Sequence, residues 1–424
     1  MPRYRFAAAV LTLICAGAVA TAQRRDVFVG SRDHAAIRYS TGETNNPAAT
    51  LNRRLQTGDA TLTFDPASGY LRSLLDALAV PVESQALVFS KTSFQAPHIN
   101  FRNPRAVYFN DVVSVGWVRG GDILEIAAQD RSQGVVFYQL EQRQAPAPRL
   151  ERNNDCLACH LSWETLGVPG LMVESVNPLP DEISYVNGYT TVHASPLDQR
   201  WGGWWVTGNH GGARHMGNIP VMPEDKGKSK LANPRQVLKT VDGQFDLKGF
   251  PTPYSDVVAQ MVLAHQVRMT NMITRTGWEA RLAAAAPSAD ASLRVKEAAS
   301  DLVDYLLFVD EAAFVGPMQG SSGFSEWFVK QGPRDAQGRS LRELDLRRRL
   351  FKYPCSYMIY TDAFDALPQA ARDAVYARMW EILSGREKRA PYATRLSAVD
   401  RRAIVEILRA TKKDLPAYFQ PSPS

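Results

Sequence analysis

The stretch AVYFNDVVSVGWVRGGDILEIAAQDRSQGVVFYQLEQ, residues 106–142, decides the fold class. AVYFNDVVSVGWV (106–118), DILEIAAQ (122–129) and GVVFYQLEQ (134–142) are rich in Val, Ile, Phe and Tyr. Such residues fit a pleated, half-buried surface. Gly120-Gly121 and Ser132-Gln133-Gly134 separate the runs, so the stretch reads as an antiparallel meander. It lies in a β-rich region over 61–145, which closes on the linker QAPAPR (144–149).

Downstream of Pro253 the period changes. Val258, Met261, Val262, His265, Met269 and Met272 recur every three to four residues, which marks one helix face. DASLRVKEAASDLVDYLLFV (290–309) reads as a second helix. Ser340 with Glu343 forms a capping box that opens a third, LRELDLRRRL. Residues 370–383 and 397–410 give two more, the last started by Ser397 and Asp400. Strands first and helices last is the α+β pattern. The expected organisation is a signal segment (1–22), a loose polar lead-in (23–60), the β-rich region (61–145), a region of unusual chemistry (146–250) and a helical region (251–424). Within 146–250, LMVESV (171–176), ISYVNGYTTVH (183–193) and GGWWVTGN (202–209) read as further strands.

Composition narrows the function classes. The chain has 424 residues, 45% hydrophobic and 22% charged, which excludes a disordered or fibrous protein. Mean hydropathy is −0.25, and the one long apolar run is N-terminal, which excludes a polytopic membrane protein. The net charge of +6 is spread thinly, with no Lys/Arg block of the kind that marks a nucleic-acid binder. Four cysteines are too few for a disulfide scaffold. At the N-terminus, Arg3 and Arg5 precede an apolar segment from Phe6 to Ala20, and Ala20-Thr21-Ala22 suits cleavage before Gln23. The mature chain is then expected in the periplasm or another exported, oxidising space. It would have no integral membrane span and would keep Cys156, Cys159 and Cys355.

In that compartment Asp155-Cys156-Leu157-Ala158-Cys159-His160 carries the chemistry. CxxCH reads as a covalent c-type haem site. Two thiols three residues apart can each add to a vinyl group on one porphyrin edge, and the next residue places an imidazole on the iron. Cys156 and Cys159 are the expected thioether anchors and His160 the proximal ligand, for a single haem c. Chance would give roughly 0.0006 such motifs per chain of this composition. Two competing readings are a local disulfide and a zinc site completed by His210 and His215. The gap of about 50 residues is far longer than a zinc-finger loop, and zinc leaves His160 unexplained.

CLACHLSWETLGVPGLMV (156–173) resembles the haem-binding start of class I cytochrome c domains. Gly167, Pro169 and Gly170 match the Gly and Pro-Gly that follow the motif there. The resemblance implies that the Pro169 carbonyl orients the imidazole N–H. It covers about 20 residues, beyond which a small cytochrome c would be mostly helical. WGGWWVTGNHG, RHMGN, AHQVRM and LFKYPCSYMIY resemble a large bacterial group described as cytochrome c domain-containing, which implies haem and no particular substrate.

Several residues are candidates for the other side of the iron. His215 and Met216 lie in the glycine-flanked HGGARHMGN, His193 in TVHASPL, Met222 before Pro223, and His265 on the apolar face of the first long helix. A histidine on such a face is also an ordinary core residue. Arg200 and Arg214 are possible propionate partners. Trp201, Trp204 and Trp205 read either as a pocket wall or as strand packing, and Cys355 as a buried inert thiol.

The resulting expectation is an exported mono-haem c-type protein that transfers one electron at a time to a redox partner protein. One alternative is a haem enzyme of peroxidase or oxygenase type with an open or labile distal site. It is motivated by about 300 residues beyond what a carrier needs. Another is a haem-bearing subunit or sensor of an exported complex. No GxSxG, HExxH or P-loop is present.

Overall fold

The computed structural model describes residues 32–176, 188–220 and 237–420. The expected signal segment, Met222 and part of the strand expected over 183–193 lie outside those residues. Within them the chain is α+β, with an antiparallel sheet in the N-terminal half and helices in the C-terminal half.

The lead-in is not loose throughout, because it contains α1 (Pro47–Thr57). The Asn46 side chain accepts the Ala49 N–H at 2.9 Å, and Pro47 sits in the first turn. There its missing N–H has no helical partner to lose. Polar composition hides this helix, since among its first turns only Ala48, Ala49 and Leu51 are buried. A short helix, α2 (Leu71–Ala77), follows.

Six strands then pair in sequence order: β1 (Ala86–Val88), β2 (Arg105–Phe109), β3 (Val113–Trp117), β4 (Ile123–Asp130), β5 (Gly134–Glu141) and β6 (Glu151–Arg152). The run 106–118 is two strands, not one. Asn110 Oδ1 accepts the N–H groups of Val112 and Val113 at 3.1 and 2.9 Å. This Asx turn folds the chain back, so that Tyr108 pairs with Val115. Alternation along β1 and β2 sends Ala86, Val88, Val107 and Phe109 into the core shared with the helices. It sends Leu87, Phe89, Ala106 and Tyr108 into a second core on the other side. On β4, Leu124, Ile126 and Ala128 are buried, while Ile123, Glu125 and Ala127 stay half-exposed.

After α3 (Leu157–His160), among the described residues of the strands expected over 171–209 only two-residue pieces form: β7 (Glu174–Ser175), β8 (Tyr189–Thr190) and β9 (Asn209–His210). Trp201, Gly203 and Gly208 take φ values of 67°, 80° and 104°, which no pleated strand accommodates.

The helical half begins with α4 (Val257–Ala285), 29 residues and about 43 Å long. It is followed by α5 (Ala289–Leu306), β10 (Met318–Gln319) paired with β9, α6 (Phe324–Lys330), α7 (Asp362–Asp365), α8 (Gln369–Leu383), α9 (Ala390–Arg395) and α10 (Ala398–Thr411). From Val257 to Val267 every residue of α4 is buried. That stretch packs with the sheet on one side and helices on the other. Residues 340–352 do not form the expected helix. Ser340 N does bond Glu343 Oε1 at 3.0 Å, but Leu344 bridges Phe351 and Asp345 Oδ1 takes the N–H groups of Arg347 and Arg348. Arg342 is drawn to Asp111, over the rings of Phe328 and Tyr357. These long-range partners outweigh the local capping signal.

Asp256 fastens α4 to its neighbours. It is fully buried, and it accepts N–H groups from Val258, Ala259, Ser321 and Ser322 and the Ser322 hydroxyl. Asp256→Ala removes a helix cap and strands several buried donors. It should cost at least about 3 kcal/mol of unfolding free energy in a urea titration. A loss below about 1 kcal/mol would refute this role.

Candidate functional site

The CxxCH segment starts from a local turn. Asn153 Oδ1 accepts the Asp155 N–H at 2.8 Å and opens a 3₁₀ turn (Asn154–Cys156) that runs directly into α3. Leu157 anchors this turn in the sheet-side core. Positions i, i+3 and i+4 of a helical turn share one face, so Cys156, Cys159 and His160 lie together. Cys156 is half-buried, Cys159 exposed, and neither is in a disulfide.

His160 is held on two sides. Its ring lies against Phe137 of β5, with centroids 4.8 Å apart. Its Nδ1 is 2.9 Å from the Gly170 carbonyl, while the Gly170 N–H donates back to the His160 carbonyl at 3.0 Å. The orienting carbonyl therefore belongs to Gly170 and not to Pro169. The Pro169 carbonyl instead accepts the Val135 N–H at 2.9 Å, which ties the loop to the sheet. Asn271 of α4 brackets the next residue, accepting from Leu171 N at 3.0 Å and donating to Leu171 O at 2.7 Å. A Cβ at position 170 would lie 2.2 Å from Asn271 Oδ1, so only glycine allows this approach. The chain between His160 and Gly170 is thus closed by the sheet and by α4 together.

The electrostatics favour a neutral imidazole. Burial pushes His160 down to about 4, only partly offset by the Gly170 carbonyl. Burial, and then the Glu125 carboxylate, push the Cys156 thiol up to about 11. Glu125 pairs with Arg105 at 3.2 Å on the half-exposed sheet face and accepts the Ser93 hydroxyl at 2.6 Å. It is the buried Arg105 Nε that makes this ion pair with Glu125 Oε2. Arg105 and Glu125 escape sequence reading because they reach the motif across strands and belong to no spacing pattern. The one local hint is an acidic residue inside the apolar run DILEIAAQ.

Which nitrogen of each histidine is free sorts the remaining candidates. With Nδ1–H donated to a carbonyl, His160 presents the bare Nε2 that a metal needs. His193 and His265 do not fit as distal ligands. Their Nδ1 atoms are 3.0 Å apart, His193 Nε2 bonds Asp310 at 2.8 Å, and His265 Nε2 bonds Ser356 at 2.8 Å. His215 Nδ1 accepts the Gly217 N–H at 3.0 Å. Its neutral ring then carries the proton on Nε2, the wrong tautomer for a ligand at that atom. His210 packs edge-on to His215, with centroids 4.7 Å apart, and is buried with both nitrogens unpartnered. Met216 is half-buried, its sulfur accepting from Ser175 at 4.0 Å. Among the described residues none of these shares a hydrogen bond or ring contact with His160.

The arginine expectations also change. Arg200 is buried and gives its guanidinium to the carbonyls of His193 and Ser195. Arg214 is exposed, and the arginine beside His160 is Arg105. The three tryptophans are buried and divided: Trp201 and Trp204 join the helix-side core, and Trp205 the sheet-side core. Cys355 is fully buried, and burial holds its thiol protonated.

Two thiols and an imidazole of fixed tautomer on one turn are a donor set that fits a covalently attached haem. No family model matches this chain, and no curated protein or solved structure shows detectable similarity to it. Among the described residues no helix is long and apolar enough to cross a membrane.

Proposed function

We propose that the chain is an exported mono-haem c-type protein whose work is one-electron transfer with a redox partner protein. The observation that carries this reading is the His160 Nδ1–Gly170 carbonyl bond, which leaves Nε2 without a proton on the turn that bears both cysteines. Cys156, Cys159 and His160 would hold the group, with Arg105, ion-paired to Glu125, the cation nearby. Bound haem c supplies a one-electron iron couple. The protein's share is to keep the ligand neutral, oriented and partly screened from water. Burial holds the Cys156 thiol protonated at neutral pH.

A second reading, a haem enzyme with an open or labile distal site, draws support from the tautomers. His193, His265 and His215 are each unavailable as they stand, which among the described residues leaves Met216, the unpartnered His210 or an external small molecule. Expression with a c-type maturation system, a haem-stained denaturing gel and oxidised and reduced spectra test both readings. The expected result is a stained band. Low-spin spectra support electron transfer. High-spin spectra that shift with cyanide support the enzyme. An unstained band overturns the haem reading altogether.

A further inference from the structure

Gly116 stands inside β3, where a glycine weakens a strand and packs nothing. A Cβ there would lie 2.9 Å from Glu125 Oε2 and 3.1 Å from Arg105 Nε. Its absence leaves room for an ion pair that reaches from Arg105 of β2, across Gly116, to Glu125 of β4. The carboxylate is fixed at both oxygens. Oε2 meets Arg105 Nε at 3.2 Å, and Oε1 accepts the Ser93 hydroxyl at 2.6 Å. The Arg105 and Glu125 side chains are only 22% and 24% exposed, so salt and solvent screen them incompletely.

The CxxCH turn rests on the same sheet face. Glu125 stands opposite Gln139, and Ala127 opposite Phe137. Directly opposed residues project to the same side of a sheet. Gln139 Oε1 accepts the Asn153 amide at 3.0 Å, and Asn153 caps the turn that runs into Cys156. Phe137 packs on the His160 ring. Glu125 is therefore the cross-strand neighbour of the residue that braces the turn. Its field reaches the motif: Arg105 and Glu125 both act on the His160 imidazole, and Glu125 also acts on the Cys156 thiol.

We propose that Arg105 and Glu125 tune the haem attached at this turn as an opposed charge pair, Glu125 favouring the ferric state and Arg105 the ferrous state. This inference rests on the haem reading above. One added electron takes the iron–porphyrin core from one net positive charge to none. A nearby carboxylate stabilises the charged core, and a nearby guanidinium destabilises it. A unit charge about 10 Å from the iron, at an effective dielectric constant of about 20, changes the equilibrium constant for reduction roughly tenfold, which is about 59 mV for one electron. In the intact pair the two effects oppose each other, so the potential responds to the loss of either member. Both are positioning residues, since they act on the iron through their field and not through contact.

The test is a potentiometric titration at neutral pH of the full chain matured with haem, followed by its visible bands. Glu125→Gln should raise the potential and Arg105→Gln should lower it, each by roughly tenfold in the equilibrium constant for reduction. Glu125→Asp and Arg105→Lys keep the charges and should stay within about threefold of the wild type. The double glutamine variant should return toward the wild-type value. A merely structural role, such as holding water away from the turn, would move both glutamine variants in the same direction. That result, or two unchanged potentials, would overturn the proposal. Should Glu125→Gln fail to fold, Arg105→Gln decides alone, and a potential that rises or stays level refutes the pair. A wild type without covalent haem would overturn the haem reading and this inference with it. A stained wild type whose variants fail the sign test overturns this inference alone.

Discussion

Replacing Cys156 and Cys159 together by alanine is expected to remove all covalent haem from the full chain while leaving its fold in place. The expectation of an intact fold rests on position. Cys159 is exposed, Cys156 is half-buried, and the turn is anchored instead by Leu157 and the Asn153 cap. Truncating a half-buried thiol costs under about 1 kcal/mol. Either single replacement should leave one thioether and a weaker stained band. His160→Ala should keep the stain and change the spectrum, since attachment and ligation use different side chains. The zinc reading makes a different forecast: the metal would follow the thiols with no stained band in the wild type. Haem-stained gels and intact mass of the wild type and the four variants decide between them. A double variant that still carries covalent haem would exclude this turn as the attachment site.

The parts legible in the sequence are those that local chemistry decides. The β-rich run with its glycine punctuation gives the meander, and Ser397 with Asp400 opens α10 through a capping box in which both reciprocal bonds form. The same signal at Ser340 yields a single turn, because Arg342, Asp345 and Leu350 find stronger partners in Asp111, the 347–348 backbone and Glu311. A capping box fixes two donors and has no influence on what approaches from another segment. The site divides the same way. Its thiols and imidazole lie within five residues, so spacing reveals them. Arg105, Glu125, Phe137 and Asn271 reach the motif only through the sheet and α4, and no spacing encodes them. Residue type marks the distal candidates in the sequence. The hydrogen bonds that set their tautomers depend on Asp310, Ser356 and Gly217, of which only Gly217 is close in sequence to its histidine.

Those tautomers lead to the second large effect, an acid instability that does not depend on haem. Burial holds five histidines below their ordinary value: His160 at about 4, His215 at about 3, and His193, His210 and His265 also lowered. In the unfolded chain each titrates near 6.5. Below that pH the unfolded state binds protons that the folded state refuses, so the stability these residues contribute is whole above about 6.5 and is lost as pH falls toward their folded values. Each adds a slope of at most about 1.4 kcal/mol per pH unit, and five together about 7. Glu311 works in the opposite sense. Its folded value near 7 lies above the unfolded carboxyl, so it favours the fold in acid and cancels about one histidine between 4.5 and 7. The net slope is thus bounded at about 5 kcal/mol per pH unit, large against an ordinary domain's stability of about 5–15 kcal/mol. Urea titrations at a series of pH values should show the midpoint nearly level from about pH 8 to 7 and then falling steeply. Four of the five rings lie outside the CxxCH turn, so the Cys156→Ala, Cys159→Ala double variant should retain most of this acid transition. A midpoint that stays level down to about pH 5 would mean that the buried imidazoles are already protonated in the folded chain, and the tautomer assignments would fail with it.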